Sequence, residues 1–221
     1  CTAHVEWGGK KLQVRIISEY PFRDEAMLEI TADGPVDCAV AIRIPGTAEK
    51  AWVGDAEATP GSCFLAGESW EGTVRIPVRL EMEARFIDRP HGAKALVRGP
   101  LDFSLPVKAA VKKLEYTRDG VERKAPYCDY EMLPDSRWNY AFCSSHFETE
   151  FGRISDYPFS PQNPPVRLKT RMVPIAWEER DGICAAVPKD AAVLGEPEEI
   201  WLQPYGCTDL RMTEMPWVLD T

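Results

Sequence analysis

The feature that most constrains the fold is an alternating run of side chains at residues 73–82. Apolar residues occupy every second position, namely Val74, Ile76, Val78, Leu80 and Met82. A period of two places them on one face of a β-strand, whereas a helix needs spacings of three and four. Burying each contributes about 1.5–3 kcal/mol, and ordering the backbone costs about 1–2 kcal/mol per residue. The two terms are similar, so the strand needs a second sheet lying over it.

The same period recurs along the first half of the chain. Three further rows are predicted to face inward: Leu12, Val14 and Ile16; Ala26, Leu28 and Ile30; and Cys38, Val40, Ile42 and Ile44. Gly8-Gly9 is typical of a two-residue hairpin turn, and Gly34-Pro35 predicts a turn between the second and third rows. Many short alternating strands with almost no helical pattern predict an all-β protein built as a β-sandwich.

Residues 95–105 mark a change in the character of the chain. They read as two short apolar strands bent at Arg98-Gly99-Pro100, because glycine permits unusual backbone angles and proline removes a ladder donor. Strands before this point alternate cleanly, and the segments after it are richer in proline and aromatic residues. Residues 107–116 are ambiguous between a helical turn and a strand. We therefore expect a junction between two β-rich halves.

Composition excludes several classes of function. The formal net charge of −9 argues against nucleic acid and anionic membrane surfaces as partners, since both would repel the chain. No run approaches the ~18 apolar residues of a membrane helix. The seven cysteines are odd in number and lack repeated spacing, which disfavours a disulfide framework. A reducing, cytoplasmic location is the expectation, with a periplasmic or secreted location as the alternative.

One cysteine pattern could bind a metal. Cys143-x-x-His146, with Cys128 nearby in sequence, could supply three ligands of the types that zinc prefers. A fourth ligand at a recognised spacing is missing, and buried or free thiols are the alternative interpretation. We assign no metal-binding and no cofactor-binding residue in this chain.

Nucleophilic and glycosidic catalysis are weakly supported. The imidazoles belong to His4, His91 and His146, and none accompanies a nucleophile motif. Paired carboxylates could cleave glycosides, but Glu81 and Glu83 fall on the outward phase of the predicted strand. We assign no catalytic residue.

Aromatic side chains leave one binding function open. Trp138 and Tyr140 are the first candidates for stacking on sugar rings, provided that both are exposed. Packing inside a sandwich explains the same residues.

Five short motifs occur in order along nearly the whole chain: Tyr20-Pro-Phe22, Arg43-Ile-Pro-Gly46, Ala95-Leu-Val-Arg-Gly-Pro-Leu101, Trp138-Asn-Tyr-Ala141 and Pro204-Tyr-Gly-Cys-Thr-Asp-Leu-Arg211. Together they resemble the C-terminal part of glycoside hydrolase family 127, the β-L-arabinofuranosidase family. Thr47 departs from the family, where many members carry tryptophan after Ile-Pro-Gly.

The resemblance implies a particular domain organisation. In the family, an (α/α)6 barrel is followed by two β-sandwich, jelly-roll-like domains, the second inserted into the first. Residues 1–105 with 208–221 would form the first sandwich, and residues 106–207 the second.

The resemblance also implies a function without chemistry in this chain. Catalysis in the family depends on a cysteine nucleophile near a zinc ion, and the barrel holds both. The barrel residues include an adjacent Cys-Cys pair, which this sequence lacks. The chain would then be a non-catalytic region that supports the absent barrel and takes part in homodimer contacts. This hypothesis predicts an exposed apolar patch where the barrel docks. A carbohydrate-binding module is the alternative.

Overall fold

The computed structural model describes residues 1–180 and 182–218, and within them the protein is all-β, which confirms the predicted fold class. The helical residues of this part of the chain form two short 3-10 turns, Pro90–Gly92 and Tyr205–Cys207. No helix in the described residues has the length and apolarity needed to cross a membrane.

Contacts group the chain into two compact units. Unit 1 consists of Cys1–Ala84 with Arg98–Pro100, and unit 2 consists of Arg85–Val97 with the residues from Leu101 onward. The two-sandwich arrangement with limits at 105/106 and 207/208 stays a prediction, and the division by contacts falls at other positions.

Unit 1 is built on one antiparallel sheet in the order β1-β2-β3-β6-β4-β5. Its strands are β1 (Thr2–Trp7), β2 (Lys10–Ser18), β3 (Glu25–Arg43), β4 (Lys50–Val53), β5 (Ala56–Ala58) and β6 (Cys63–Glu81). The Gly8-Gly9 hairpin between β1 and β2 is confirmed, with φ values of 58° and 76°. Both angles suit the type I′ turn that joins twisted strands without splaying them.

The sheet of unit 1 is folded back on itself into two layers. Leu28 and Ile42 both lie on β3, and a straight strand would separate them by about 45 Å at roughly 3.3 Å per residue. Both nevertheless line one cavity of about 360 Å³. The bend falls where the pairing of β3 with β6 shifts register, between Ala32 and Val36.

The predicted turn at Gly34-Pro35 is therefore wrong in one respect, because the strand continues through it. A bulge inserts extra residues into one strand and bends it without ending its pairing. The strand predicted at residues 73–82 likewise belongs to the longer strand β6, apart from Met82.

The predicted inward rows form the core of unit 1. Leu28, Ile30 and Leu12 pack with Val40 and Trp70 in one cluster. A second cluster contains Ile44, Ala48, Ala51, Val53, Ala58, Val78, Leu80 and Met82. The period-two reading of the sequence thus identified the buried face on each of these strands.

Unit 2 contains the remaining strands, apart from Ala84 of β7 and Arg98 of β8, which belong to unit 1. They are β7 (Ala84–Asp88), β8 (Ala93–Arg98), β9 (Leu101–Val107), β10 (Ala109–Leu114), β11 (Tyr116–Arg118), β12 (Val121–Arg123), β13 (Asp129–Pro134), β14 (Tyr140–Phe142), β15 (Glu148–Phe151), β16 (Val166–Pro174), β17 (Glu179–Arg180), β18 (Ile183–Cys184), β19 (Glu198–Pro204), β20 (Leu210–Met212) and β21 (Met215–Pro216). The main sheet runs β14-β16-β19-β9-β8-β21, and β15, β20 and β7 pair with β16, β9 and β8.

One long hairpin, built from two successive paired segments, forms an extended arm at residues 109–134. β10 pairs with β13, and β11 pairs with β12. Asp119 and Gly120 close the tip with φ values of 53° and 75°, again as expected of a type I′ turn. The ambiguous segment at 107–116 is thus resolved as strand.

Candidate interaction surface

The arm is exposed over almost its whole length. Between residues 110 and 133, Cys128 alone is buried. An isolated two-stranded ribbon is marginally stable in water and needs packing against another element. The arm is therefore the part of unit 2 that most needs a packing partner.

One face of the arm is apolar. Directly opposed residues of an antiparallel pair share a face, and alternate residues along each strand lie on it. The register Val111↔Met132 and Lys113↔Tyr130 therefore defines the apolar arm face as Ala109, Val111, Tyr130, Met132 and Pro134, with Lys113 as its one charge. Val111 is 54% exposed and Met132 42%. The opposite face carries the ion pair Lys112–Glu131, whose charged atoms are 3.4 Å apart.

The apolar arm face leads into a groove of about 230 Å³ in the same unit, the Trp138 groove. Met132 and Pro134 form part of its wall, and the β17–β18 hairpin contributes Glu179 and Ile183. Ile183 is 70% exposed. The remaining lining residues are Val107, Trp138, Gly182, Cys184, Leu210, Arg211 and Met212. A run of exposed apolar side chains that continues into a groove is typical of an interaction site.

The two predicted sugar-stacking residues are not presented together. Tyr140 is 6% exposed, and its hydroxyl donates a hydrogen bond of 3.1 Å to a carboxylate oxygen of Glu198. Trp138 is half-buried, with its ring centroid 5.7 Å from that of Trp177. The hypothesis required two exposed rings, and here one is interior while the other forms part of the groove wall.

The one cation in the wall of the Trp138 groove is engaged within its own turn. Arg211 donates hydrogen bonds to the carbonyl oxygens of Thr208 and Asp209, and its guanidinium carbon lies 3.6 Å from the ring centroid of Tyr205. These contacts fix the turn at Tyr205–Cys207. They engage Nη1 of Arg211 and make this side chain a structural element of the groove wall.

The three residues considered as zinc ligands, and not assigned as such, are not clustered. Within residues 1–180 and 182–218, no three His, Cys, Asp or Glu side chains lie close enough to hold a metal ion. Cys128 is buried in the arm, Cys143 is buried next to β14, and His146 is exposed. The structure does not bring these three residues together.

Cys207 is unsuited to act as a nucleophile. It is fully buried, and burial raises the pKa of its thiol because the thiolate loses solvation. Its sulfur lies 3.8 Å from the carbonyl oxygen of Pro158. Since the thiolate is the reactive form, Cys207 is a packing residue of the turn that holds the Pro204-Tyr-Gly-Cys motif.

The sequence signalled part of this surface. Trp138 was singled out, and alternation at Val111, Tyr130 and Met132 is visible once β10 and β13 are placed in register. The walls contributed by β17–β18 and by Leu210 and Met212 were missed, because their proximity depends on pairings between distant segments.

Comparison with known proteins establishes the fold. Neither a protein-family model nor a curated protein matches the sequence. Among solved structures, a family 127 β-L-arabinofuranosidase from Geobacillus stearothermophilus T6 matches with a TM-score of 0.57 at 15% identity, over 99% of this chain and 32% of that one.

Two further structures match over similar shares. A glycoside hydrolase has a TM-score of 0.59 at 15% identity, over 100% of this chain and 34% of its own. A family 127 β-arabinofuranosidase has a TM-score of 0.57 at 16% identity, over 98% and 33%. The chain therefore spans about a third of the length of the structures it matches, and at these identities the likeness establishes a shared fold.

Proposed function

We propose that this chain is a non-catalytic β-region of a glycoside hydrolase resembling the family 127 β-L-arabinofuranosidases, where it supports a helical catalytic barrel carried by other polypeptide. Two findings support the proposal. The fold matches such enzymes over the whole of this chain and about a third of theirs. The apolar arm face and the Trp138 groove provide an uncovered surface on which a further domain can pack.

The observation that carries the proposal is the exposure of Val111 and Met132. Burying an aliphatic side chain contributes about 1.5–3 kcal/mol, so leaving several uncovered forgoes stability that a docked domain recovers. Zinc, the metal that the sequence resemblance implies, would belong to that domain and not to residues of this chain. A second copy of the protein is the competing occupant of the arm face, and the test below distinguishes it from a docked domain.

The test compares two double variants, each made in this chain and in the longer protein that contains it. Val111→Lys with Met132→Lys places charge on the apolar arm face, whereas the matched control, Lys112→Ala with Glu131→Ala, alters the opposite face. Both doubles should leave the melting temperature of this chain nearly unchanged, since the sites are exposed. In the longer protein, only the lysine double should lower the melting temperature and the heat resistance of aryl β-L-arabinofuranoside hydrolysis.

Three results would contradict the proposal. Measurable hydrolysis of the arabinofuranoside by this chain alone would make it catalytic. No hydrolysis of the arabinofuranoside by the longer protein would remove the β-L-arabinofuranosidase-like assignment. A lysine double that converts a dimer of the longer protein into monomers, with its melting temperature unchanged, would assign the arm face to a second copy.

A further inference from the structure

Unit 1 has two layers of unequal width. All six strands contribute to the broad layer: β1, β2, β4, β5, residues 25–32 of β3 and residues 72–81 of β6. The narrow layer contains only residues 36–43 of β3 and residues 63–70 of β6, paired with each other. Strands within a layer lie about 4.8 Å apart, so two strands cannot cover six.

The uncovered part of the broad layer lies over β1 and β2. Ala3 and Val5 are directly opposite Val14 and Leu12, so β1 directs Ala3, Val5 and Trp7 toward the same face as the inward row of β2. Leu12 is buried, but Val14 and Ile16 are only half-buried. Val5 is 38% exposed and Trp7 54%. Apolar side chains on the inner face of a two-layered unit thus remain open to water.

An apolar slot lies between the two layers beside β2, where Val14 and Ile16 line it and no residue of β1 does. Its volume is about 360 Å³, more than twice the roughly 150 Å³ of a cavity that accepts benzene. Fourteen residues line it, and Arg43 is the one charged residue among them: Val14, Ile16, Ser18, Tyr20, Ala26, Leu28, Val40, Ala41, Ile42, Arg43, Ile44, Pro45, Val78 and Leu80. The slot is large enough for several branched aliphatic side chains.

One wall of the slot is an open β-edge. Residues 36–43 pair with β6 on one side, whereas the pairing of β3 with β2 ends at Ala32. Across the described residues, no strand pairs with the other side of this segment. Backbone N–H and C=O groups at such an edge accept an added strand, and pockets for alternate side chains select its sequence.

We propose that this slot, the strand-accepting slot, takes one extended segment of six to eight residues from the longer protein, lying outside these 221 residues. The segment pairs with residues 36–43 and inserts alternate apolar side chains between the layers. A backbone edge beside an apolar slot fits an extended peptide, because a lipid would leave the edge unpaired. A second copy could offer only an edge that is already paired on its other side, such as its own residues 36–43, and the cross-linking experiment below separates that occupant from a segment of the longer protein.

The inference rests on the proposed function in one respect, namely that the occupant belongs to a longer protein. Matches that span about a third of each solved structure leave ample polypeptide to supply the segment. The slot and the apolar arm face are on different units, so the two proposals can fail separately.

Photo-cross-linking identifies the occupant. Ile16→p-benzoylphenylalanine in the longer protein places the reactive group in the slot, and Ile17→p-benzoylphenylalanine on the opposite face of β2 is the matched control. We expect Ile16 adducts with one peptide from outside residues 1–221, absent from the control. Adducts only within residues 1–221, adducts with a second copy, or no adduct would each overturn the proposal.

Hydrogen exchange tests the same claim without substitution. Amides of residues 36–43 should be protected at least about tenfold more in the longer protein than in this chain. Residues 73–79 of β6 should exchange equally in both, because β3 already pairs with them. If residues 36–43 exchanged equally in the two proteins while the arm became more protected in the longer one, the strand-accepting slot would be contradicted and the proposed function would be retained.

Discussion

At the scale of single residues, Tyr140 shows how burial redirects an aromatic side chain. An exposed phenol could stack on a sugar, but this ring is interior and its hydroxyl donates to Glu198. Burial raises the pKa of Tyr140, and the hydrogen bond to the Glu198 carboxylate raises it further. Both effects disfavour the phenolate. The hydrogen bond thus links β14 to β19 across the intervening strand β16, and Tyr140 can donate it only while its phenol is protonated.

Alkaline pH should therefore weaken the contribution of Tyr140 to stability. A folded-state pKa above the unfolded value of about 10 gives stabilisation that is complete below pH 10 and is lost as pH rises through the folded pKa. At neutral pH we expect Tyr140→Phe to lower the free energy of unfolding by about 1 kcal/mol. The gap between the wild type and this variant should shrink above pH 10, as measured by urea denaturation from pH 7 to 11.

The control for this experiment is Tyr157→Phe, at a residue that is 83% exposed. It should show no gap at any pH. Other groups that titrate at alkaline pH are common to all three proteins and cancel in the differences. A Tyr140→Phe gap that stays constant up to pH 11 would show that the phenol is not held protonated by its surroundings.

At the scale of elements, the sequence predicted which face of a strand is buried better than it predicted where the strand ends. Period two identified the inward rows of β2, β3 and β6, because a strand that packs on one side must alternate. The continuity of β3 through Gly34-Pro35 was missed, since a bulge and a turn use the same residue types. The arm was ambiguous for a related reason: exposed strands lack the burial that makes a pattern regular.

The turn between β8 and β9 supplies a test at this scale. Arg98, 4% exposed, donates to both carboxylate oxygens of Asp24 at 2.7 and 2.6 Å. Removing one partner of a buried pair leaves a charge uncompensated, at a cost of about 3–5 kcal/mol. We expect Asp24→Asn to lower the free energy of unfolding by about 3 kcal/mol, as measured by urea denaturation. The value is at the lower end of the range because the Asp24 side chain is itself 32% exposed.

An exposed ion pair in the same unit is the control. Lys50 and Glu81 lie 3.5 Å apart with exposures of 56% and 36%, and such pairs contribute at most about 1 kcal/mol. Glu81→Gln should therefore change stability much less than Asp24→Asn. Equal effects of the two substitutions would mean that Arg98 does not depend on Asp24.

At the scale of the whole molecule, pairings between distant segments decided what the sequence could not predict. The Trp138 groove joins residues near 107, 132, 183 and 211, and no local pattern records their proximity. The strand-accepting slot likewise follows from counting strands in two layers, which requires the register. Residue types and periodicity predict which face of a strand is buried. Which element covers that face depends on how distant strands pair.

The C-terminal strands give the sharpest test of that topology. Met215 on β21 is opposite Lys94 on β8, about 120 positions earlier in the chain, and is fully buried. Trp217 adds an edge-to-face contact with Phe86 at 5.0 Å between ring centroids. Met215→Ala should lower the free energy of unfolding by about 2–5 kcal/mol, as measured by urea denaturation. Val193→Ala, at a residue that is 50% exposed, should change it by less than about 0.5 kcal/mol. If Met215→Ala were as mild as this control, β21 would not pack as an edge strand beside β8, and the long-range pairing of residues 215–216 with 93–94 would lose its support.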